Sequence, residues 1–228
     1  DTVETAFTAT VSVPSSRMIS HGVNFDREFD GNKREARREL CVDPQATLVV
    51  EPGYVSKQKG CDRFVSLASH FPDAEFLLAG GSRGDRNDPF ISSLRDCAPK
   101  NVTITGRLPH QKFHAAFVAA DLVVLPYRKE GQSGVVNWCA TYEVPTIGSD
   151  CGYFRSLATE YGCIDLIDAT DVGALAERVS TVLADDDRRE HLRQAMSRYK
   201  LQNGFDAVAD RHVSLYRDLV DETGGVTS

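Results

Sequence analysis

No apolar run in this chain approaches the roughly 18–20 residues that a membrane-spanning helix needs, so none is expected. Nor is there a Lys/Arg-rich run or a basic stripe, and the formal net charge is -7. Both features argue against nucleic acid as a partner. The first residues lack the charged start and apolar core of a secretory leader. The chain opens on Asp, so a fragment or a processed chain is expected. Six cysteines (Cys41, Cys61, Cys97, Cys139, Cys151 and Cys163) are scattered without a CxxC pair. Reduced thiols in a cytoplasmic protein are therefore expected, ahead of a disulfide framework or a metal site. The dinucleotide fingerprint G-x-G-x-x-G is missing as well. Its nearest counterpart, AGGSRGDRND at 79–88, reads instead as a flexible glycine loop near a ligand. An NAD-dependent oxidoreductase is thus a distant reading. His110 and His114 share a helical face, but no carboxylate or cysteine pattern joins them, and no metal is expected.

What is present is an alternation. Short apolar runs at 47–53, 75–81, 101–107, 121–127, 144–150 and 163–169 read as strands. Segments with apolar residues at helical spacing lie between them, at 60–71, 89–98, 110–120, 133–142 and 153–162, with two more helices over 172–184 and 187–199. Strands buried on both faces read as continuous apolar runs, and intervening helices supply right-handed crossovers. The expected fold is α/β: a doubly wound, Rossmann-like parallel sheet with helices on both faces. Residues 21–203 form its body. Residues 1–20 do not fit the alternation, although MISHGV could open it as a strand. Residues 204–220 read as a last helix after the break at Asn203-Gly204, and the tail to 228 is expected to fray.

In such sheets ligands sit beyond the carboxyl ends of the strands, where the winding reverses. The loops after the strands are therefore the places to look for chemistry. GYVSKQKG, 53–60, carries Gly53, Lys57, Lys59 and Gly60 just before a helix. A helix start offers unpaired N–H groups and the positive end of a dipole. The loop reads either as an anion site or as an exposed turn with two solvated lysines. TGRLPHQKF, 105–113, could bring backbone groups of Gly106, Arg107 and Leu108 to a base edge, or could be a plain connection. EGQSGVV, 130–136, passes Glu130 and enters a helix at Gln132, Ser133 and Gly134, where small residues let an anion approach. A carboxylate beside such a site suits hydroxyls rather than a second phosphate. The combination fits a sugar joined to a diphosphate.

Four pieces in this order resemble one family. HGVNFDREF, GYVSKQKG, NVTITGR…AADLVVLPY and EGQSGVVNWCATYEVPTIGSD are similar to segments of the C-terminal, donor-binding domain of GT-B-fold, group 1, retaining glycosyltransferases. The resemblance spans about residues 18–200. It implies transfer of a sugar from a nucleotide diphosphate-sugar to an acceptor with retention of configuration. Lys59 falls on the family's diphosphate-holding lysine, and Glu130 on the first Glu of E-x7-E, facing the donor sugar. Those two carry the implied catalytic roles. Gln132, Ser133, Gly134 and Val135 fall at the helix start that meets sugar and phosphate, Gly53 opens the phosphate loop, and Gly106, Arg107 and Leu108 lie in the base-contacting loop.

Two positions depart from the family. Its Arg after the first Gly is Tyr54 here, and its second Glu is Trp138. Lys57 could replace the cation. Trp138 cannot accept a hydrogen bond from ribose; it could stack or simply pack. Asp150, Cys151 and Gly152 resemble the family's S-D-x-G turn.

No cofactor or metal is implied beyond the nucleotide-sugar substrate, since fixed cations and dipoles can stabilise the leaving diphosphate. The resemblance places residues 1–20 as linker or remnant of an N-terminal acceptor domain. An acceptor glycan, lipid or small molecule, and any peripheral membrane association, would be met by that other half. The donor half alone is expected to bind nucleotide and transfer sugar poorly. Two rival readings stand beside this one: a sugar-nucleotide epimerase on the same fold, and a non-catalytic nucleotide-binding or interaction module, which Tyr54 and Trp138 favour.

Overall fold

The computed structural model describes residues 19–84, 88–129 and 132–224. The chain alternates helices and strands as follows. Helix α1 (Lys33–Glu39) precedes β1 (Thr47–Pro52), α2 (Cys61–Leu67, prolonged by a 3-10 turn at Ala68–His70) and β2 (Ala74–Ala79). Then come α3 (Pro89–Cys97), β3 (Val102–Ile104), α4 (His110–Ala119), β4 (Leu122–Leu125) and α5 (Gly134–Tyr142). The chain ends with β5 (Thr146–Ser149), α6 (Gly152–Tyr161), β6 (Asp165–Ile167), α7 (Val172–Ala184), α8 (Asp186–Gln202) and α9 (Phe205–Gly224).

The strands form one six-stranded sheet in the order β3-β2-β1-β4-β5-β6, every pair parallel. The chain winds outward one way from β1 and the other way from β4. The winding reverses between those two neighbours, and a crevice opens beyond their carboxyl ends. Side chains alternate across the strands. Leu48, Val50, Leu77, Ala79, Val123 and Leu125 enter the core under α1, α4, α5 and α8. Val49, Phe76, Leu78, Leu122 and Val124 enter the opposite core under α2, α3 and α7. Burial on both faces is why these strands read as continuous apolar runs.

Helix α1 has no counterpart in the sequence reading. Its sequence, KREARRE, holds one apolar residue and so no helical period. Asn32 caps it by accepting from the Glu35 N–H, while the Glu35 carboxylate accepts from the Asn32 N–H at 2.9 Å. Its buried face is Ala36 and Arg37. The Arg37 guanidinium donates to Ala119 O (3.1 Å), Pro44 O (2.7 Å) and Asp121 Oδ2 (2.7 Å), and Asp121 also accepts from Leu48 N–H at 2.7 Å. A buried charge has to be paired and hydrogen-bonded in this way.

MISHGV does not open the sheet. Among its described residues, Val23 makes only an isolated parallel bridge to Gly204, with its N–H donating to Asn203 O at 2.7 Å. Residues 21–29 are instead held by α5. Asn137 donates to Gly22 O, Thr141 to Asn24 O, and the Tyr142 hydroxyl accepts from the Glu28 and Phe29 N–H groups. Helix α9 continues past the expected end at residue 220 to Gly224. No helix among the described residues is long and apolar enough to cross a membrane.

Glycine sets the closeness of the loops above β1 and β2. A Cβ on Gly80 would lie 1.7 Å from Gly53 O, whereas one on Gly84 would meet nothing within 4 Å. Gly80→Ala should therefore lower unfolding stability by about 3 kcal/mol through overpacking, while Gly84→Ala stays within about 0.5 kcal/mol of the parent. Urea unfolding of the two variants checks this, and equal midpoints would contradict it.

Candidate functional site

The loop 53–60 leaves β1 and turns back to meet the end of β4. Gly60 makes that turn at φ 75°, and a Cβ there would lie 1.9 Å from Pro126 O. Only glycine permits both the conformation and the contact. Arg128 then fastens the loop from the β4 side. Its N–H donates to Gln58 O (2.8 Å), and its guanidinium donates to Lys57 O (2.9 Å) and to the Asp62 carboxylate (2.7 Å). Burial alone would raise Asp62, but the Arg128 hydrogen bonds hold its carboxyl below the usual range.

This geometry carries Lys59 over Tyr127. The ammonium donates to the Tyr127 hydroxyl at 2.6 Å and sits 4.0 Å from the ring centroid. The same hydroxyl lies 3.1 Å from Ser133 Oγ. Ser133 occupies the N-cap position of α5 but does not cap it, because its hydroxyl is turned to Tyr127. The Val136 N–H donates to Ser133 O at 3.0 Å, and the Ser133 side chain leaves the start of α5, the positive end of the helix dipole, uncapped. A Cβ on Gly134 would meet nothing within 4 Å among the described residues. Burial lowers the Lys59 pKa, countered by the charge of Glu51.

Glu51 lies next to the end of β1, just before the loop. It is 1% exposed. Oε1 accepts from Cys61 Sγ at 3.3 Å, and Oε2 has no partner among the described residues. Burial pushes its carboxyl from the ordinary value near 4.5 up to about 8, and the Cys61 hydrogen bond and Lys59 only partly offset that. Burial also raises the Cys61 thiol and the Tyr127 hydroxyl, so both stay protonated.

The other expected site residues gather round the same opening. Gly53, at φ 117°, brings the β1 loop within 3.2 Å of Val135 Cγ2, measured from a Cβ built on the glycine. Gly81 packs against the backbone at Gly106 and Arg107. The Gly53 N–H donates to Ala79 O, Val55 N–H to Gly81 O and Gly80 N–H to Thr105 Oγ1. The loops after β1, β2 and β3 are thereby stitched into one rim. The glycines expected to make the 79–88 loop flexible serve close packing at Gly80 and Gly81 instead. Arg107 and Gln132 are exposed on the rim, and Leu108 packs against the core.

Tyr54 is exposed, with the Arg83 guanidinium 5.5 Å from its ring centroid. Lys57 is exposed and braces the loop through its carbonyl. Trp138 turns away from the rim and packs edge-on against His114, with centroids 4.4 Å apart. His114 is buried, and its neighbours Phe113, Phe117 and Tyr142 are aromatic. No three His, Cys, Asp or Glu side chains among the described residues are grouped to hold a metal. Asp150 pairs with Arg155 at 2.8 Å and lines, with Arg63, Arg128, Cys151 and Thr170, a neighbouring groove of about 480 Å³. Glu130 lies outside the described residues.

Sequence reasoning missed Tyr127, Arg128 and Glu51. A signal existed for Glu51: it is the one acid inside the apolar run TLVVEP. Tyr127 and Arg128 gave none, because their partners are some 65 residues away in sequence.

A doubly wound sheet with a lysine and an uncapped helix start gathered at its switch point is the architecture of a Rossmann-like domain in a GT-B glycosyltransferase. The chain belongs to the family of glycosyl transferases group 1, whose profile matches residues 32–199. It is similar to the lipopolysaccharide core biosynthesis mannosyltransferase LpsB of Rhizobium meliloti, 31% identical over 196 residues, which cover 79% of this chain and 54% of that one. Its fold matches HepE of Anabaena in complex with UDP and glucose (TM-score 0.76, 14% identity, 90% of this chain and 56% of that one). It also matches the C-terminal domain of the group 1 family protein LpcC of Francisella tularensis (TM-score 0.62, 17% identity, 84% of this chain and 98% of that one). The chain spans about half the length, or less, of the curated relatives it matches.

The state of Glu51 has a consequence for stability. Between about pH 4.5 and about pH 8 the folded protein holds a proton on Glu51 that the unfolded chain has released. Stability therefore falls as pH rises through that window and levels off above it. Glu51→Gln removes this contribution. The variant should gain on the parent by an amount on the order of a few kcal/mol between about pH 5 and about pH 8. Urea midpoints at the two pH values measure it, and parallel profiles would sink the assignment.

Proposed function

We propose that this chain is the donor-binding half of a retaining glycosyltransferase that takes its sugar from a nucleotide diphosphate-sugar. The observation that carries the reading is the desolvated Lys59 ammonium held on Tyr127 beside the uncapped start of α5. A half-buried cation beside a helix start that its N-cap side chain does not cap favours a diphosphate over a neutral ligand. HepE, of like fold, is described in complex with UDP and glucose, which supports the choice of ligand class.

In this reading Lys59 and the first N–H groups of α5 stabilise the negative charge that grows on the diphosphate as the glycosidic bond breaks. Groups aimed at developing charge in a site closed to water carry the largest share of such rate enhancements. Gly53, Gly134 and Val135 let the backbone approach the phosphates and sugar, with Gln132 and Ser133 on the same helix start. Gly106, Arg107 and Leu108 border the base. Glu130 orients the sugar hydroxyls. Lys57, Tyr54 and the Arg83 that stacks on it stand at the outer rim, where a cation near Tyr54 substitutes in part for the family's arginine. Trp138, seated on His114, supports α5 from behind. The lysine and the helix dipole supply the positive potential, so the reading calls for no metal or cofactor. The acceptor would be met by a second domain, and this chain alone binds the donor better than it transfers the sugar.

A non-catalytic nucleotide-binding module is the second reading, favoured by Tyr54 and Trp138 at positions where the family carries Arg and Glu. It shares the diphosphate site and differs in lacking turnover when the other half is supplied.

Calorimetric titration with UDP, GDP and ADP tests the shared step. One of the three should bind saturably, and Lys59→Ala should weaken that binding at least about tenfold, the usual scale for a charge-assisted hydrogen bond. Unchanged affinity in Lys59→Ala would remove the diphosphate assignment.

A further inference from the structure

A buried acid that hydrogen-bonds Cys61, two residues beyond the cation assigned to the phosphates, and that feels the charge of that cation is a costly arrangement. Ionised, it would cancel the very charge that the site presents. The groups that face Glu51 decide how it is tolerated. Helix α2 offers the Cys61 thiol, which donates to Oε1, and Asp62, whose charge is already tied to Arg128. The loop 53–60 offers Lys59, and the end of β4 offers the Tyr127 hydroxyl. On β2, the residue in register with Glu51 is Leu78, which has no charge. Among these, Lys59 is the cation whose charge Glu51 feels, and the Lys59 ammonium donates to the Tyr127 hydroxyl. No partner meets Oε2 among the described residues, and the Cys61 hydrogen bond and the Lys59 charge only partly offset the burial.

We propose that Glu51 is a positioning residue of the anion site: while it carries its proton, the charge of Lys59 is uncancelled and meets the diphosphate, and when it loses the proton that grip weakens. The inference rests on the reading of Lys59 as the diphosphate ligand. It requires no movement of the fold. The switch is the proton on a carboxyl that is out of water and feels the charge of the cation. Burial places its loss at about pH 8, so anion affinity is full near neutrality and declines above it. Anion binding in turn favours the protonated carboxyl, so binding at about pH 8 takes up a proton.

The test titrates pyrophosphate, which needs no choice of nucleobase, into the wild-type chain, Glu51→Gln and Lys59→Ala at intervals from about pH 7 to about pH 9.5. The titration of pyrophosphate itself is common to all and cancels in the ratio of affinities. Wild-type affinity relative to Glu51→Gln should fall about tenfold between about pH 7 and about pH 9, as expected for one proton lost per site. Should Glu51→Gln not fold, Glu51→Met, of similar length and with no proton to lose, gives the same comparison. A ratio constant with pH, while Lys59→Ala still abolishes binding, assigns any alkaline loss to Lys59 itself and overturns this inference alone. Pyrophosphate binding unaffected by Lys59→Ala overturns the reading of the site and this inference with it.

Discussion

The contact between Gly60 and the carbonyl of Pro126 is the constraint on which the site depends. The two residues belong to the two strands that flank the reversal of winding. The loops after β1, β2 and β3 also meet backbone to backbone, but at Gly60 the loop after β1 folds across the reversal itself, onto the end of β4. That closeness puts Lys59 on the Tyr127 ring, and Tyr127 in turn draws the Ser133 hydroxyl off the start of α5. One steric allowance at a glycine therefore decides where a cation sits and why a helix start is left open.

The electrostatics follow from the same closeness. A lysine on the surface would be a hydrated point charge. Held against an aromatic ring and above an apolar strand end, it loses part of its water, and its interaction with any anion strengthens accordingly. The fold tolerates this by keeping the neighbouring acids from competing. Asp62 is engaged by Arg128, and Glu51 is kept neutral by burial. Cys61 and Tyr127 remain protonated for the same reason. In the reading proposed above, this arrangement suits a ligand that brings its own negative charge.

Around this centre the molecule spends its polar side chains on holding segments rather than on catalysis. Asn137, Thr141 and Tyr142, on the far side of α5, bind the backbone of residues 21–29. Arg37 and Asp121 join α1 to the opposite end of the sheet. Helix α5 thus has two duties: its start faces the opening, and its body anchors the segment that leads into the domain. Trp138 belongs to the second duty, since it packs on His114 within the aromatic cluster between α4 and α5.

The alternation of apolar runs and helical periods was enough to determine the parallel doubly wound sheet, because strands buried on both faces and amphipathic helices leave periods that depend on local sequence alone. The loops proposed to meet a ligand stood out by small residues and lysines directly after a strand, although Gly80 and Gly81 serve close packing. Helix α1 left no such period, because its buried face is an alanine and an arginine whose partners lie beyond it in the chain. The roles of Tyr127, Arg128 and Glu51 were decided only by the tertiary structure. Tyr127 and Arg128 acquire theirs from Lys59 and Asp62, distant in sequence, and burial, which converts Glu51 from a surface acid to a neutral group near a cation, is a property of the assembled sheet and not of any segment of it.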